Sequence, residues 1–273
     1  MDDRVPAPGP GSLPRRDRNT ILIGLAGVTA LAWIYLVVSA ANMQGMGDPA
    51  AAEGVASAGS MMRVHPWSAL DFALMFAMWA VMMVGMMVPT AAPMALIYAA
   101  VARKAASQGT PLASTAVFVS GYVVAWTAFS VAATAVQWGL DSAALLSPRM
   151  VTTSPILGAL LLMASGLYQL TPIKNACLEH CRAPARFIAS HWHPGASGAF
   201  RVGLEHGFYC LGCCWLLMGL LFLGGVMNLL WIAGITGFVL LEKVAPRGLL
   251  GGRFAGVSMI AVGGFLALRW AVA

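Results

Sequence analysis

The chain has 273 residues, 59% of them hydrophobic and 10% charged, with a mean hydropathy of +0.79. That balance excludes a soluble globule, because so much apolar surface cannot be hidden in one core of this size. The net charge of +6 sits mainly in the loops between apolar runs, so it is a topological signal rather than a nucleic-acid footprint.

Seven apolar runs reach the length a membrane helix needs, at about residues 20–41, 69–102, 113–138, 155–172, 204–224, 227–243 and 254–272. The alternation expected of a membrane barrel strand is absent. The predicted fold class is therefore all-α, a polytopic transmembrane helical bundle of about seven spans. Arg15 and Arg16 precede the first run and Ser39-Ala40-Ala41 resembles a signal-peptidase site, but the apolar core is too long for a signal peptide and reads as an anchor. Arg4, Arg15, Arg16, Arg18, Arg103, Lys104, Lys174, Arg182, Arg186, Arg201, Lys243, Arg247 and Arg253 fall on one side of this arrangement, and only Arg63, Arg149 and Arg269 on the other. The excess of Lys and Arg in cytoplasmic loops then predicts the N-terminus in and the C-terminus out.

Residues 1–19 are polar, with Pro6, Pro8 and Pro10, and are expected to form a disordered cytoplasmic tail ahead of a single transmembrane domain, residues 20–273. The loop after the first span carries Met43, Met46, Met61, Met62 and His65. Thioethers stay usable in an oxidising compartment, so an external Met/His loop of this kind can collect Cu(I); the spacing is equally that of a flexible loop with incidental methionines.

The second span is rich in methionine. At about 100° per residue, Asp71, Met75, Met78, Met82 and Met86 fall within roughly 60° of one another. Met83, Met87 and Met94 form an adjacent row if the helix continues through Pro89 and Pro93, which should kink it and free backbone carbonyls. The stripe, with Met83 and Met87, is a candidate metal path. Met is also a flexible packing residue in membrane cores. An ionisable residue at the edge of a span points to function, whereas Asp71 can equally cap the helix.

In the third and fourth spans Tyr122, Trp126, Trp138 and Tyr168 serve as interface aromatics or packing, and Ser154-Pro155 reads as a capped helix start. A long cytoplasmic loop, about 173–203, follows. Within it Asn175 to Arg182 can form a short helix stopped by Pro184, with Cys177 and Cys181 one turn apart on the same face. His191 and His193, two positions apart, can be ligands or exposed loop histidines, and exposure is the favoured expectation. In the fifth span His206, Cys210 and Cys213 share one helix face, with Cys214 one step round. Three cysteines and a histidine in nine positions, close to Cys177, His180 and Cys181, are hard to attribute to packing. The predicted metal ligands are drawn from Cys177, His180, Cys181, His206, Cys210, Cys213 and Cys214. Glu242-Lys243 ends the sixth span and either pairs with the basic boundary or sits under the site, with a boundary ion pair the favoured expectation. Gly252, Gly256, Gly263 and Gly264 in the last span let helices approach closely.

These residues carry a resemblance. The runs MMVGMMVPTAAPM (82–94), YQLTPIKNACLEHC (168–181) and GLEHGFYCLGCCWLLM (203–218), with Met227-Asn228, Trp231 and Glu242-Lys243, resemble an uncharacterised bacterial family of predicted metal-binding integral membrane proteins, a domain of unknown function. The resemblance implies metal binding in a multi-pass protein of the bacterial inner membrane and supplies no reaction.

Soft thiolates and thioethers together favour Cu(I); Zn fits the Cys/His part alone. The leading reading is a Cu(I)-handling membrane protein that binds, passes or delivers the ion to a protein acceptor or a membrane metalloenzyme. No nucleotide-binding motif is present to drive transport, and no residue is assigned a catalytic role. Two alternatives stay open: a thiol oxidoreductase using Cys210/Cys213 and Cys177/Cys181, and a zinc-stabilised structural or assembly subunit. The predicted topology puts every cysteine on the reducing side, which disfavours disulfide chemistry.

Overall fold

The computed structural model describes residues 13–45, 67–110, 113–147, 150–245 and 248–272. The expectations for Met46, Met61, Met62 and His65, and for residues 1–12 of the tail, lie outside the described residues. Among the described residues the chain is helical throughout, apart from one isolated antiparallel bridge between Leu146 and Thr152. The helices are α1 (Arg15–Gly45), α2 (Ala69–Ser107), α3 (Thr115–Ser142), α4 (Pro155–Gln169), α5 (Pro172–Arg182), α6 (Pro184–His191), α7 (Gly195–Gly219), α8 (Leu221–Gly224), α9 (Leu229–Val244) and α10 (Gly248–Val272). Helix α1 starts at Arg15, inside the stretch expected to be a tail.

Local chemistry explains most starts. Ser68 and Asp71 form a capping box at α2, Ser154 and Thr171 cap α4 and α5 ahead of a proline at the first position, and the Asn228 side chain caps α9. Helix α2 runs on through Pro89 and Pro93 for 39 residues, about 58 Å at 1.5 Å per residue. Pro89 has no N–H to offer the Gly85 carbonyl one turn back. The Trp33 indole of α1 supplies the missing donor, at 3.2 Å. The freed carbonyl of an apolar helix is thus satisfied from the neighbouring helix, as a buried backbone acceptor requires.

Five helices are long and apolar enough to cross a membrane: α1, α2, α3, α7 continued through α8, and α10. Helices α4 and α5 together pass the same test but are bent by 64° at their junction, so they make a sixth candidate. Each of the seven apolar runs coincides with a helix. However, α4 has 15 residues and α9 has 16, about 22–24 Å, short of the roughly 30 Å hydrocarbon core. The stretch 173–203 is not an irregular loop: α5, α6 and the first turns of α7 fill it.

Small residues seat the helices. A side chain at Gly203 or Gly207 of α7 would run into the backbone of Phe118 or the Ala125 methyl of α3, so these two helices pack at backbone distance. Gly256 and Gly263 do the same for α10 against Gly166 and Ala159 of α4; Gly252 lies on the Glu242 side chain, and Gly264 faces open space. At one end of the bundle Trp67 bonds Asp141 at 2.8 Å and the Thr152 N–H bonds the Phe222 carbonyl at 2.8 Å. At the other end Arg103 pairs with Asp17, and Arg182 donates to the Ala245 carbonyl at 2.7 Å. The main core cluster holds Met78, Met82, Met83, Met86 and Met87 together with Cys210, Cys213 and Cys214, and a second one gathers Tyr98, Phe118 and Phe187.

Candidate metal centre

Helix α7 projects Cys210, Cys213 and Cys214 into the core, where they are 0%, 2% and 1% exposed. Helix α5, turned away from α4, packs on α7 and carries the half-buried Cys181 against the core cluster that holds Cys210, Cys213 and Cys214. Thiols from two helices therefore share one part of the core. The Sγ atoms of Cys213 and Cys214 each donate to the Cys210 carbonyl at 3.0 Å. All five cysteines are free. Among the described residues no group of three or more His, Cys, Asp and Glu side chains is placed to hold a metal ion as the side chains stand. The Cys213 and Cys214 protons are spent on one carbonyl, and a soft cation would displace thiol protons as it binds.

Lys243 reaches this cluster from the last turn of α9. Its Nζ donates to Cys210 Sγ at 2.8 Å and to Thr90 Oγ1 at 2.9 Å, and the side chain is buried. Tyr122 Oη lies 2.9 Å from the same sulfur and donates to the Met87 carbonyl at 3.1 Å. The boundary ion pair expected at Glu242-Lys243 is replaced by two inward contacts. Glu242 pairs with Lys174 of α5 at 2.5 Å, both buried, while Lys243 places its ammonium on the thiols. A buried cation of this kind needs a compensating anion, and Cys210 is positioned to supply it.

The predicted ligands separate into groups. Cys181, Cys210, Cys213 and Cys214 come together. Cys177 is half-buried and packs against Gly212 of α7, at the margin of the cluster. His206, one turn before Cys210, is 2% exposed and stacks on Tyr122 with ring centroids 5.5 Å apart. Its Nδ1 is buried without a hydrogen-bond partner, an orphaned soft donor beside thiols that a metal ion would satisfy. His180 turns elsewhere: it stacks on Tyr209 at 4.2 Å and its Nδ1 lies 2.8 Å from the Ala176 carbonyl. His191 is not a free loop residue, since its ring stacks on Phe187 at 4.3 Å at the end of α6.

On α2, Met78, Met82, Met83, Met86 and Met87 are all buried, and Met75 is half-buried. The methionine layer ends against the cysteine cluster, because the Met87 carbonyl and Thr90 both bond to Tyr122 or Lys243. Asp71 has a capping role: Oδ2 accepts from Ser68 N at 2.8 Å and from Ser68 Oγ at 2.7 Å.

A cluster of free thiols under a layer of thioethers is the donor set of a soft-metal carrier. The sequence profile of the PpoB2 family, described as a copper chaperone, matches residues 76–266. The chain belongs to this copper chaperone family. The match begins within the methionine layer and includes every cysteine and Lys243. No curated protein and no solved structure matches the chain.

Sequence reasoning misses Thr90, takes Tyr122 for packing or an interface aromatic, and ranks a place for Lys243 under the site below a boundary ion pair. Thr90 and Lys243 lie inside the runs that carry the family resemblance, which was the available signal. Tyr122 lies 88 positions from Cys210, and nothing local marks it.

Proposed function

We propose that this protein is a membrane copper chaperone that holds Cu(I) on Cys181, Cys210, Cys213 and Cys214 and passes it to a protein acceptor. The gathering of Cys181 of α5 with Cys210, Cys213 and Cys214 of α7 in one core cluster, with Lys243 on Cys210, carries this reading. Thiolates select a soft ion, and the ammonium offsets the negative charge of a Cu(I)–thiolate complex. Cys177 and His206 flank the site as accessory ligands, and His180 is set aside. The methionines of α2, from Met75 to Met87, give the ion a thioether route along the core, with Asp71 at its start.

The helices are read as spanning the bacterial inner membrane with the N-terminus in, because the basic residues gather at the Arg103 and Arg182 end of the bundle. In that orientation the thiols lie toward the cytoplasmic side, where they stay reduced. A single shared cluster also suits a carrier better than the two exchanging cysteine pairs that an oxidoreductase needs.

Metal analysis of the purified protein under reducing conditions tests this. Copper bound in stoichiometric amount to the wild type, and lost in Cys210→Ser and Cys213→Ser, is the expected result. A wild type that stays empty when Cu(I) is supplied, or that binds only zinc, overturns it.

A further inference from the structure

At the far end of the methionine layer two thioethers meet on one side-chain amide. Gln137 of α3 is 2% exposed, and its Nε2 donates to Met75 Sδ at 3.6 Å and to Met150 Sδ at 3.4 Å. Trp79 decides which amide atom faces the sulfurs. Its indole N–H, which can only donate, points at Gln137 Oε1 at 2.6 Å and leaves the NH2 group toward the methionines. Thioether sulfur is a weak acceptor, so a buried amide that spends its donors on two sulfurs gains little. Two thioethers converging on one point are, by contrast, a binding arrangement for a soft monovalent cation.

Met150 is held at that point against its own backbone preference. Its φ is +56°, in the left-handed region that an ordinary side chain avoids. The turn around it is tied down: Met150 N donates to the Ser147 carbonyl at 2.8 Å, Ser147 N to the Val151 carbonyl at 2.9 Å, and Thr152 N to the Phe222 carbonyl at 2.8 Å. A strained residue whose surroundings fix it in place is a mark of function. Met75 begins the row that continues through Met78, Met82 and Met86, and it precedes Met87 by 12 positions, about 18 Å along the helix. The carboxylates of Asp71 and Asp141 belong to residues one turn nearer the helix ends, where they favour a cation's approach.

We propose that Met75 and Met150, which converge on the Gln137 amide, form a second, weaker Cu(I) site at the opposite end of the methionine layer from the thiols. Here the ion replaces the NH2 group between the two sulfurs. This rests on the reading that the chain carries Cu(I), and it assigns the position at which the ion is first or last held by thioethers alone.

The test uses the purified full-length protein, titrated with Cu(I) under ascorbate against a chromophoric Cu(I) chelator. Two classes of site are expected in the wild type. Met75→Leu/Met150→Leu, a near-isosteric change, should weaken the second class at least tenfold and leave the thiol class intact, which also reports that the variant is folded. Cys210→Ser/Cys213→Ser should do the reverse. In parallel, Ag(I) should slow peroxide oxidation of Met75 and Met150 at least fivefold, in wild type and cysteine variant alike, without slowing that of Met259. A single, thiol-only class in the wild type, or a second class that survives the double methionine change, overturns the proposal. Loss of the thiol class alone refutes the cysteine site and leaves the methionine site standing.

Discussion

Lys243 sets the charge balance of the thiol cluster. Its ammonium lies 2.8 Å from Cys210 Sγ in a buried setting, where unit charges a few ångströms apart interact by about 4 kcal/mol at an effective dielectric of 20. Copper bound by two or more thiolates is a net anion, so the cation favours the loaded state. Lys243→Met should lower Cu(I) affinity by about tenfold or more, equivalent to about 1.4 kcal/mol, read by chelator competition. The geometry also ranks the two cysteines of α5. Cys181→Ser should weaken binding more than Cys177→Ser, because the Cys177 thiol packs on Gly212 at the margin of the cluster; equal losses would contradict that placement. The cysteines and methionines were legible in the sequence, since rare soft residues at helical spacing are conspicuous. Lys243 was legible only as one of two placements, at the boundary or under the site, because its partners Cys210 and Thr90 are 33 and 153 positions away, and no local pattern distinguishes a lysine that turns inward from one at a membrane boundary.

At the level of elements, the site depends on how α5 is fastened. Helix α5 leaves α4 at a 64° bend, and two polar contacts to α9 set its position. Lys174 pairs with Glu242, and Arg182 donates to the carbonyls of Glu242 and Ala245 at the C-terminal end of α9, at 3.2 and 2.7 Å. The second contact satisfies carbonyls that a helix end leaves without partners. Together they fix Cys181 and Lys243 in one register. Glu242→Gln removes the anion and leaves the buried Lys174 uncompensated, a change that costs about 3 kcal/mol or more. The variant should melt at lower temperature in detergent and lose copper affinity together with stability. Loss of affinity at an unchanged melting temperature would mean that Glu242 acts on the metal directly. Sequence reasoning found the short helix from its proline boundaries and its Cys177/Cys181 face. It did not find the bend, because Leu170 to Pro172 reads simply as the end of a span when the tertiary contacts of Lys174 are unknown.

Across the whole molecule, the contacts sort the chain into two ends. Trp67, Asp141, Thr152 and Phe222 are joined at one, and Asp17, Arg103, Arg182 and Ala245 at the other. The seven apolar runs gave the helices correctly. They did not give the lengths, since α4 and α9 are short elements whose apolar sequence is the same whether they cross alone or shelter among longer helices. The proposed orientation can be checked with single cysteines introduced at exposed positions. Ser107 and Ser190 follow or end helices on the basic side, while Ala143 and Asn228 lie in the connections on the Trp67 and Phe222 side. In intact cells or right-side-out vesicles, a membrane-impermeant maleimide should label Ala143→Cys and Asn228→Cys, and should label Ser107→Cys and Ser190→Cys only after permeabilisation. Reading the label peptide by peptide separates these sites from the native cysteines. Labelling of Ser107→Cys or Ser190→Cys from outside would invert the orientation and place the thiols in the oxidising compartment. There, free Cys181, Cys210, Cys213 and Cys214 would pair as disulfides, and a carrier based on thiolates would fail.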